Sequence, residues 1–144
     1  MAARRDLRPY IYLGLDQLAV IVYAIVIVKL VPTWMTSAKI HLWSFPVGLE
    51  LMALGMAAVF VPKYRPLGRK VAIAGGSLVL LSTFLIIVRL LASAAFLAGV
   101  YGAFGKAVAS GALIAVALVI EVVALLPIVQ VKYLMSRAGR RVYA

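Results

Sequence analysis

Ionisable side chains are scarce in this sequence, and their positions suggest what chemistry it could perform. The 144 residues include only four acidic ones. Three of these, Asp16, Glu50 and Glu121, lie inside long apolar runs, and Arg89 lies inside another. A charge in membrane hydrocarbon is costly unless a neighbouring group compensates it, and such residues often mark ion or proton pathways. We therefore predict an intramembrane charge network of these four residues, facing the interior of a helix bundle.

The helical neighbours of these groups are small or polar, which favours contact between helices. Residues three, four or seven positions apart share one face of a helix. Small residues on such a face let two backbones approach closely in a bilayer. The predicted supporting residues are Tyr12 and Tyr23 for Asp16, and Ser82 and Ser93 for Arg89. We expect the charged faces to be contact faces rather than lipid faces.

Pro127 follows Glu121 by six positions and predicts a kink in the last apolar helix. Proline has no backbone N–H, and its ring displaces the carbonyl four residues earlier. A freed carbonyl close to a buried carboxyl suits an ion or proton site, but it also suits a helix that is simply bent. The sequence leaves both interpretations open.

Each charged residue also has a purely structural interpretation. Arg89 could extend to the lipid headgroups from the outer end of its helix, and Glu50 could be stabilised by the positive end of a helix dipole. Water from the inner face could reach Asp16. Glu121 lies far from both ends of its helix, so its structural alternative is an ion pair or a protonated carboxyl with a hydrogen-bonded neighbour.

The elements that must position these groups are membrane-spanning helices. Hydrophobic residues make up 66% of the chain and charged residues 13%, and the mean hydropathy is +1.12. A chain this short cannot bury so much apolar surface in one core, so lipid must cover much of it. We predict an all-α, polytopic integral membrane protein with four transmembrane helices in an up-down bundle. The predicted spans are 10–31, 42–61, 71–91 and 107–131, and segment 92–105 is a possible interfacial segment or turn on the outer side.

The basic residues predict the orientation of this bundle. Three precede the first span, four separate the second and third spans, and four follow the last span, whereas only three fall on the opposite side. Because Lys and Arg are retained in cytoplasmic loops, we expect cytoplasmic N- and C-termini and a multi-pass protein of the cell membrane. Tyr and Trp favour the membrane boundaries. The aromatic residues expected at the inner boundary are Tyr10, Tyr12, Tyr64 and Tyr133, and those at the outer one are Trp34, Trp43, Tyr101 and Phe104.

Several functional classes find little support in the composition. The chain has no cysteine and one histidine, His41, which cannot by itself complete a metal or haem site. There is no phosphate-binding loop and no nucleophile with an adjacent base, so neither a catalytic residue nor a cofactor is predicted. The net charge of +11 comes from the basic loops. Anionic lipid headgroups are therefore expected partners at the inner face, and nucleic acid is not. The absence of Asn and Cys would also fit a thermophilic source.

Three kinds of function are compatible with these features. The first is a small, non-catalytic subunit of a larger membrane complex, for example an energy-converting or respiratory one, whose buried charges pair within or between subunits. The second is a homo-oligomeric transporter or channel for protons, cations or small solutes that uses Glu121 and Glu50. The third is a subunit of a membrane assembly or filament. We favour the first, because neither an extramembrane domain nor a catalytic motif is evident.

Overall fold

The computed structural model describes residues 6–30, 33, 40–118, 121 and 124–144. Within these ranges every regular element is a helix. Trp34, which was predicted at the outer boundary, and the basic residues Arg4, Arg5 and Lys39 lie outside the described residues.

Within the described ranges the α-helices follow one another along the chain. They are α1 (Arg8–Leu30), α2 (Ser44–Ala57), α3 (Arg65–Val100), α4 (Gly102–Leu118), α5 (Leu125–Met135) and α6 (Arg137–Val142). Two short 3-10 turns, Ala58–Phe60 and Pro62–Tyr64, connect α2 to α3. Val61 between these turns is extended, and Pro62 begins the second turn, where its missing N–H is not required.

Three helical stretches are long and apolar enough to cross a membrane. They are Arg8–Leu30, Ile40–Phe60 and Pro62–Val100, with mean hydropathies of 2.2, 1.6 and 2.5. The first two correspond to the predicted spans 10–31 and 42–61. Helices α4 and α5 are apolar but shorter, and they cover most of the predicted span 107–131.

Helix α3 does not end near residue 91, where the sequence analysis placed the end of the third span. It continues without a break to Val100, and the chain reverses at Tyr101 and Gly102. Its residues up to Val100 are mostly good helix formers, whereas Gly102 has a φ of +57°, the left-handed conformation that glycine adopts without strain. Segment 92–105 is therefore the end of one helix, a tight turn and the start of the next.

Helices α2 and α3 pack through two pairs of glycines. Gly48 lies against Gly75, and Gly55 lies against Gly68, so the glycines are seven residues apart on each helix. A Cβ atom added to Gly55 would overlap the backbone carbonyl of Gly68 and the backbone nitrogen of Ala72. The two backbones are therefore in direct contact, as small residues permit in membrane helices, and the register between α2 and α3 is fixed.

Helices α4 and α5 run alongside α3 in the opposite direction. Near the turn, the backbone of Gly105 packs against the carbonyl of Leu97. At the other end of α3, the Arg69 Nε donates to the carbonyl oxygen of Leu134 at 2.7 Å. These contacts define an α3–α4–α5 hairpin with its turn at Tyr101, and this end of the molecule is called the hairpin end below.

Both ends of the described chain meet at the opposite end of the bundle, called the termini end below. The Tyr133 hydroxyl donates to Asp6 Oδ2 at 2.9 Å. Helix α6 folds back under the bundle after Ser136, whose hydroxyl accepts a hydrogen bond from the Gly139 N–H. Tyr143, only 1% exposed, donates its hydroxyl to the Met56 carbonyl at 2.9 Å. The core here is a cluster of Met56, Val59, Ala72, Tyr133, Leu134 and Tyr143.

Candidate functional site

The most deeply buried polar contact joins Asp16 of α1 to Gln130 of α5. Both side chains are 0% exposed, although they are 114 positions apart in the sequence. The Gln130 amide nitrogen donates a hydrogen bond to Asp16 Oδ1. Helix α1 therefore attaches to the α3–α4–α5 hairpin through a fully buried polar pair.

This pair has one unpartnered oxygen on each side chain. Asp16 Oδ2 and Gln130 Oε1 are both buried and have no hydrogen-bond partner among the described residues. An ionised carboxylate can only accept hydrogen bonds, whereas a neutral carboxylic acid can also donate one. The Asp16–Gln130 pair therefore leaves two buried acceptor oxygens without a donor in the part of the chain that the structure describes.

Glu50 of α2 contacts the other glutamine of the chain. The Gln17 Nε2 lies 3.4 Å from Glu50 Oε1 and 3.3 Å from Oε2, which are long hydrogen bonds. Glu50 is half-buried and Gln17 is exposed. Gln17 directly follows Asp16 in α1. Asp16 therefore lies in the interior of the bundle, and Gln17 lies at its edge.

Arg89 of α3 lies at the surface, beside the beginning of the second apolar stretch. It lines a cleft of about 350 Å³ whose other polar residues are His41, Ser44 and Ser82. The Ser93 hydroxyl donates a hydrogen bond to the backbone carbonyl of Arg89 at 2.9 Å. Its partner is therefore the backbone of α3 and not the Arg89 guanidinium. Ser82 lines the same cleft as Arg89.

Glu121 is exposed and lies on irregular helical backbone. Glu121 and Ala124 have the wider π-helical geometry, just before Pro127, which is fully buried. A wide turn accommodates a proline ring that would collide with a regular helical backbone, and such turns are frequent at functional sites. The flanking residues Leu118 and Leu125 are also exposed. The Glu121 carboxyl thus belongs to an apolar outer surface.

The structure does not gather the four predicted charges into one network. Asp16 and Glu50 each contact a glutamine, whereas Arg89 and Glu121 face outward on the hairpin. Across residues 6–30, 33, 40–118, 121 and 124–144, the one ion pair joins Arg8 Nε to Asp6 Oδ1 at 3.0 Å. The four charges therefore form no network among the described residues, and their pairing between subunits stays a prediction.

The two predicted tyrosine partners of Asp16 contact aromatic rings. Tyr12 packs against Tyr133, with ring centroids 5.6 Å apart, and Tyr23 stacks on Phe45 at 5.8 Å. The partner of Asp16 is Gln130, which the sequence analysis did not single out. Gln17 and Gln130 are the only glutamines in the chain and both lie in apolar runs. The position of both glutamines in apolar runs was the signal that could have identified Gln130 as the partner, since an amide can donate a hydrogen bond to a buried carboxyl without adding charge.

Asp6 is the best-connected carboxyl at the termini end. It accepts hydrogen bonds from the Arg8 backbone N–H, the Arg8 Nε and the Tyr133 hydroxyl. Partial burial acts to raise the pKa of Asp6, but these hydrogen bonds outweigh it and hold the pKa below its ordinary value. Burial raises the pKa of the Tyr143 phenol. These groups hold the two chain ends together.

Comparison with known proteins adds no relative. No family model, curated protein or solved structure matches the chain. A functional proposal therefore rests on the polar groups of the bundle. Asp16 pairs with Gln130, and Glu50 pairs with Gln17. Arg89 and Glu121 face outward.

Proposed function

We propose that the chain crosses the membrane four times, with both termini in the cytoplasm. The first three crossings are the long apolar helices, and α4 with α5 forms the fourth. Supporting this, α4 and α5 follow α3 from Gly105 beside Leu97 down to Leu134 beside Arg69. The termini end also carries most of the Lys and Arg residues, which favours the cytoplasmic side for that end.

The function that these observations support best is a small, non-catalytic subunit of a larger membrane complex. The observation that carries this proposal is the exposure of Arg89 and Glu121 on otherwise apolar helices. Leu85 and Val88 beside Arg89 are exposed, as are Leu118 and Leu125 beside Glu121. A charge that faces acyl chains is costly, so a neighbouring subunit is the partner that best explains both positions.

The cleft around Arg89 gives this partner a defined place to bind. It is open, about 350 Å³ in volume, and lined by Arg89, His41 and two serines among apolar residues. A guanidinium, an imidazole and hydroxyls together suit a carboxylate or amide side chain from another helix. An interhelical hydrogen bond of this kind contributes roughly 1 kcal/mol in a membrane, which is enough to orient a subunit that apolar packing already holds.

Photo-crosslinking in native membranes tests this proposal. A photoreactive residue is placed at Leu118, beside Glu121, and separately at Ile21, an exposed apolar position on α1. We expect a discrete heteromeric adduct from Leu118 and mainly lipid adducts from Ile21. Glu121→Gln and Arg89→Gln should reduce recovery of the adduct, whereas Lys106→Gln, which changes another exposed charge of the hairpin, should not. Lipid adducts alone from both positions would contradict the proposal.

A second candidate, a homo-oligomeric proton or cation carrier, is favoured by one observation. Glu121 lies on π-helical backbone six positions before a buried proline, which is a suitable setting for a carboxyl that binds and releases an ion. Glu50, half-buried beside Gln17, would be the second group on such a pathway. Crosslinking at Leu118 would then yield a dimer or higher oligomer of this chain. Cation flux into liposomes should fall with Glu121→Gln and persist with Lys106→Gln.

A further inference from the structure

A cleft at the termini end combines positive charge with apolar walls. It lies between the start of α1, the 3-10 turn Ala58–Phe60, the start of α3 and helix α6, and its volume is about 330 Å³. The polar lining includes Tyr10, Arg65 and Arg141, and the apolar lining includes Val59 and Phe60. Four separate elements therefore contribute to one pocket, and two of its residues are arginines.

The arginines of this cleft differ in how firmly they are held. Arg65 donates from Nε and Nη2 to the Val59 carbonyl, at 3.2 and 3.1 Å, which orients the guanidinium and leaves its Nη1 for another acceptor. Arg141 is exposed on α6. Asp6 also lines the cleft, but its carboxylate is already compensated by Arg8 and Tyr133. The cleft therefore presents a net positive charge.

The surface next to the cleft is apolar. Phe60 is 59% exposed, and its ring packs edge-to-face with Tyr10 at 5.3 Å. Leu7, Ile11 and Val61 nearby in sequence are exposed as well. In the proposed topology this surface lies at the inner boundary of the bilayer, where a lipid has its phosphate in the headgroup layer and its acyl chains alongside the helices.

We propose that this cleft binds the phosphate headgroup of an anionic phospholipid from the inner leaflet. Arg65 and Arg141 bind the phosphate oxygens, and the acyl chains lie along Phe60 and Ile11. Guanidinium groups are well suited to phosphate because they donate several hydrogen bonds in one plane. The inference rests on the proposed position of this end at the membrane surface, and it does not depend on a partner complex.

Such a lipid would attach the end of the chain to its beginning. Arg141 belongs to α6, Arg65 begins α3, and Tyr10 lies in the first turn of α1. A ligand that binds the native arrangement and not the unfolded chain stabilises the native state. The bound lipid should therefore raise the unfolding temperature of the purified protein and keep α6 docked.

Lipid titration of the purified full-length chain in mild detergent tests this inference. The readouts are native mass spectrometry and the unfolding temperature, with phosphatidylglycerol, phosphatidylcholine and inorganic phosphate as separate ligands. We expect phosphatidylglycerol to bind and stabilise, and the other two to do so weakly. Arg141→Gln should weaken phosphatidylglycerol binding roughly tenfold, the loss expected for one charge-assisted hydrogen-bonding group.

The matched control is Arg137→Gln, which removes an equal charge from the same helix outside the cleft. It should retain binding within about twofold of the unchanged protein. Equal losses in the two variants would show general charge attraction and overturn a defined site. Stabilisation by inorganic phosphate as strong as that by phosphatidylglycerol would overturn the assignment to a lipid. A separate topology assay that places the termini outside would instead contradict the proposed orientation.

Discussion

At the termini end, polar side chains meet partners within the chain, whereas Arg89 and Glu121 face outward on the α3–α4–α5 hairpin. Asp6, Asp16 and Gln130 each have a hydrogen-bond partner from another part of the sequence. Arg89 and Glu121 are exposed among exposed leucines and valines. The termini end is therefore stabilised by the chain's own contacts, and the outer face of the hairpin offers surface for a neighbour.

The same contrast holds for packing. Near the termini end, α2 and α3 touch backbone to backbone through Gly55 and Gly68. Near the hairpin end, large apolar side chains such as Phe96 and Phe104 are 65% and 74% exposed. Substitutions at the two ends should therefore differ: those at the termini end should change stability, and those at the hairpin end should change interactions with other molecules.

The largest effect is expected from filling the glycine contact. Gly55→Val would place side-chain atoms where the Gly68 carbonyl now lies, and such overpacking costs roughly 3 kcal/mol or more when backbone must move. The matched control is Gly111→Val on α4, because nothing lies near Gly111. Unfolding in mixed detergent micelles measures both. Equal destabilisation by the two variants would contradict the difference in packing between the ends.

The next largest effect is expected at Asp16. Asp16→Ala leaves the buried Gln130 amide without its acceptor, which should cost about 2 kcal/mol. Asp16→Asn keeps an acceptor for the Gln130 amide, so it should destabilise the protein less than Asp16→Ala. The same unfolding assay compares the two. If Asn were as damaging as Ala, the hydrogen bond from Gln130 would not be what stabilises this position.

Removing one buried hydroxyl should have a smaller effect. Tyr143→Phe loses the hydrogen bond to the Met56 carbonyl and should cost about 1 kcal/mol. Tyr101→Phe makes the same change at the exposed turn of the hairpin and should leave stability unaltered. Proteolysis of the C-terminal segment provides an independent measure, because α6 should open more often in the first variant. Identical digestion of both variants would show that Tyr143 does not hold α6.

The smallest effect is expected at Asp6 and should depend on pH. Because the pKa of Asp6 is lowered in the folded protein, Asp6 contributes fully to stability at pH values above its ordinary pKa of 3.8. This contribution to stability is lost as the pH falls through the lowered pKa. Asp6→Asn should cost no more than about 1 kcal/mol at neutral pH, as for other accessible ion pairs. As the pH falls through that lowered pKa, the two proteins should approach equal stability. A difference that grows on acidification would have the wrong sign.

The sequence correctly predicted a helical chain with helices long and apolar enough to cross a membrane, because the length of each hydrophobic run is read directly from the residues. It did not predict where α3 ends, because the apolar pattern of residues 92–100 fits both an interfacial segment and a continuing helix. The end of the helix is marked instead by the positive φ of Gly102. The pairing of Asp16 with Gln130 also depends on the rotation of α5 about its axis. That rotation is set by packing across the bundle, which the local spacing around Asp16 does not specify.

The length of α3 has a consequence for where the protein can reside. Its apolar part follows the basic start RPLGRK and covers residues 71–100, which at about 1.5 Å per residue extend about 45 Å, whereas the hydrocarbon of a typical bilayer is about 30 Å thick. A helix longer than the hydrocarbon is accommodated by tilting, by local thickening of the lipid or by extending into the headgroup layer. We therefore expect the protein to partition into the thicker regions of a membrane and to tilt more strongly as acyl chains are shortened.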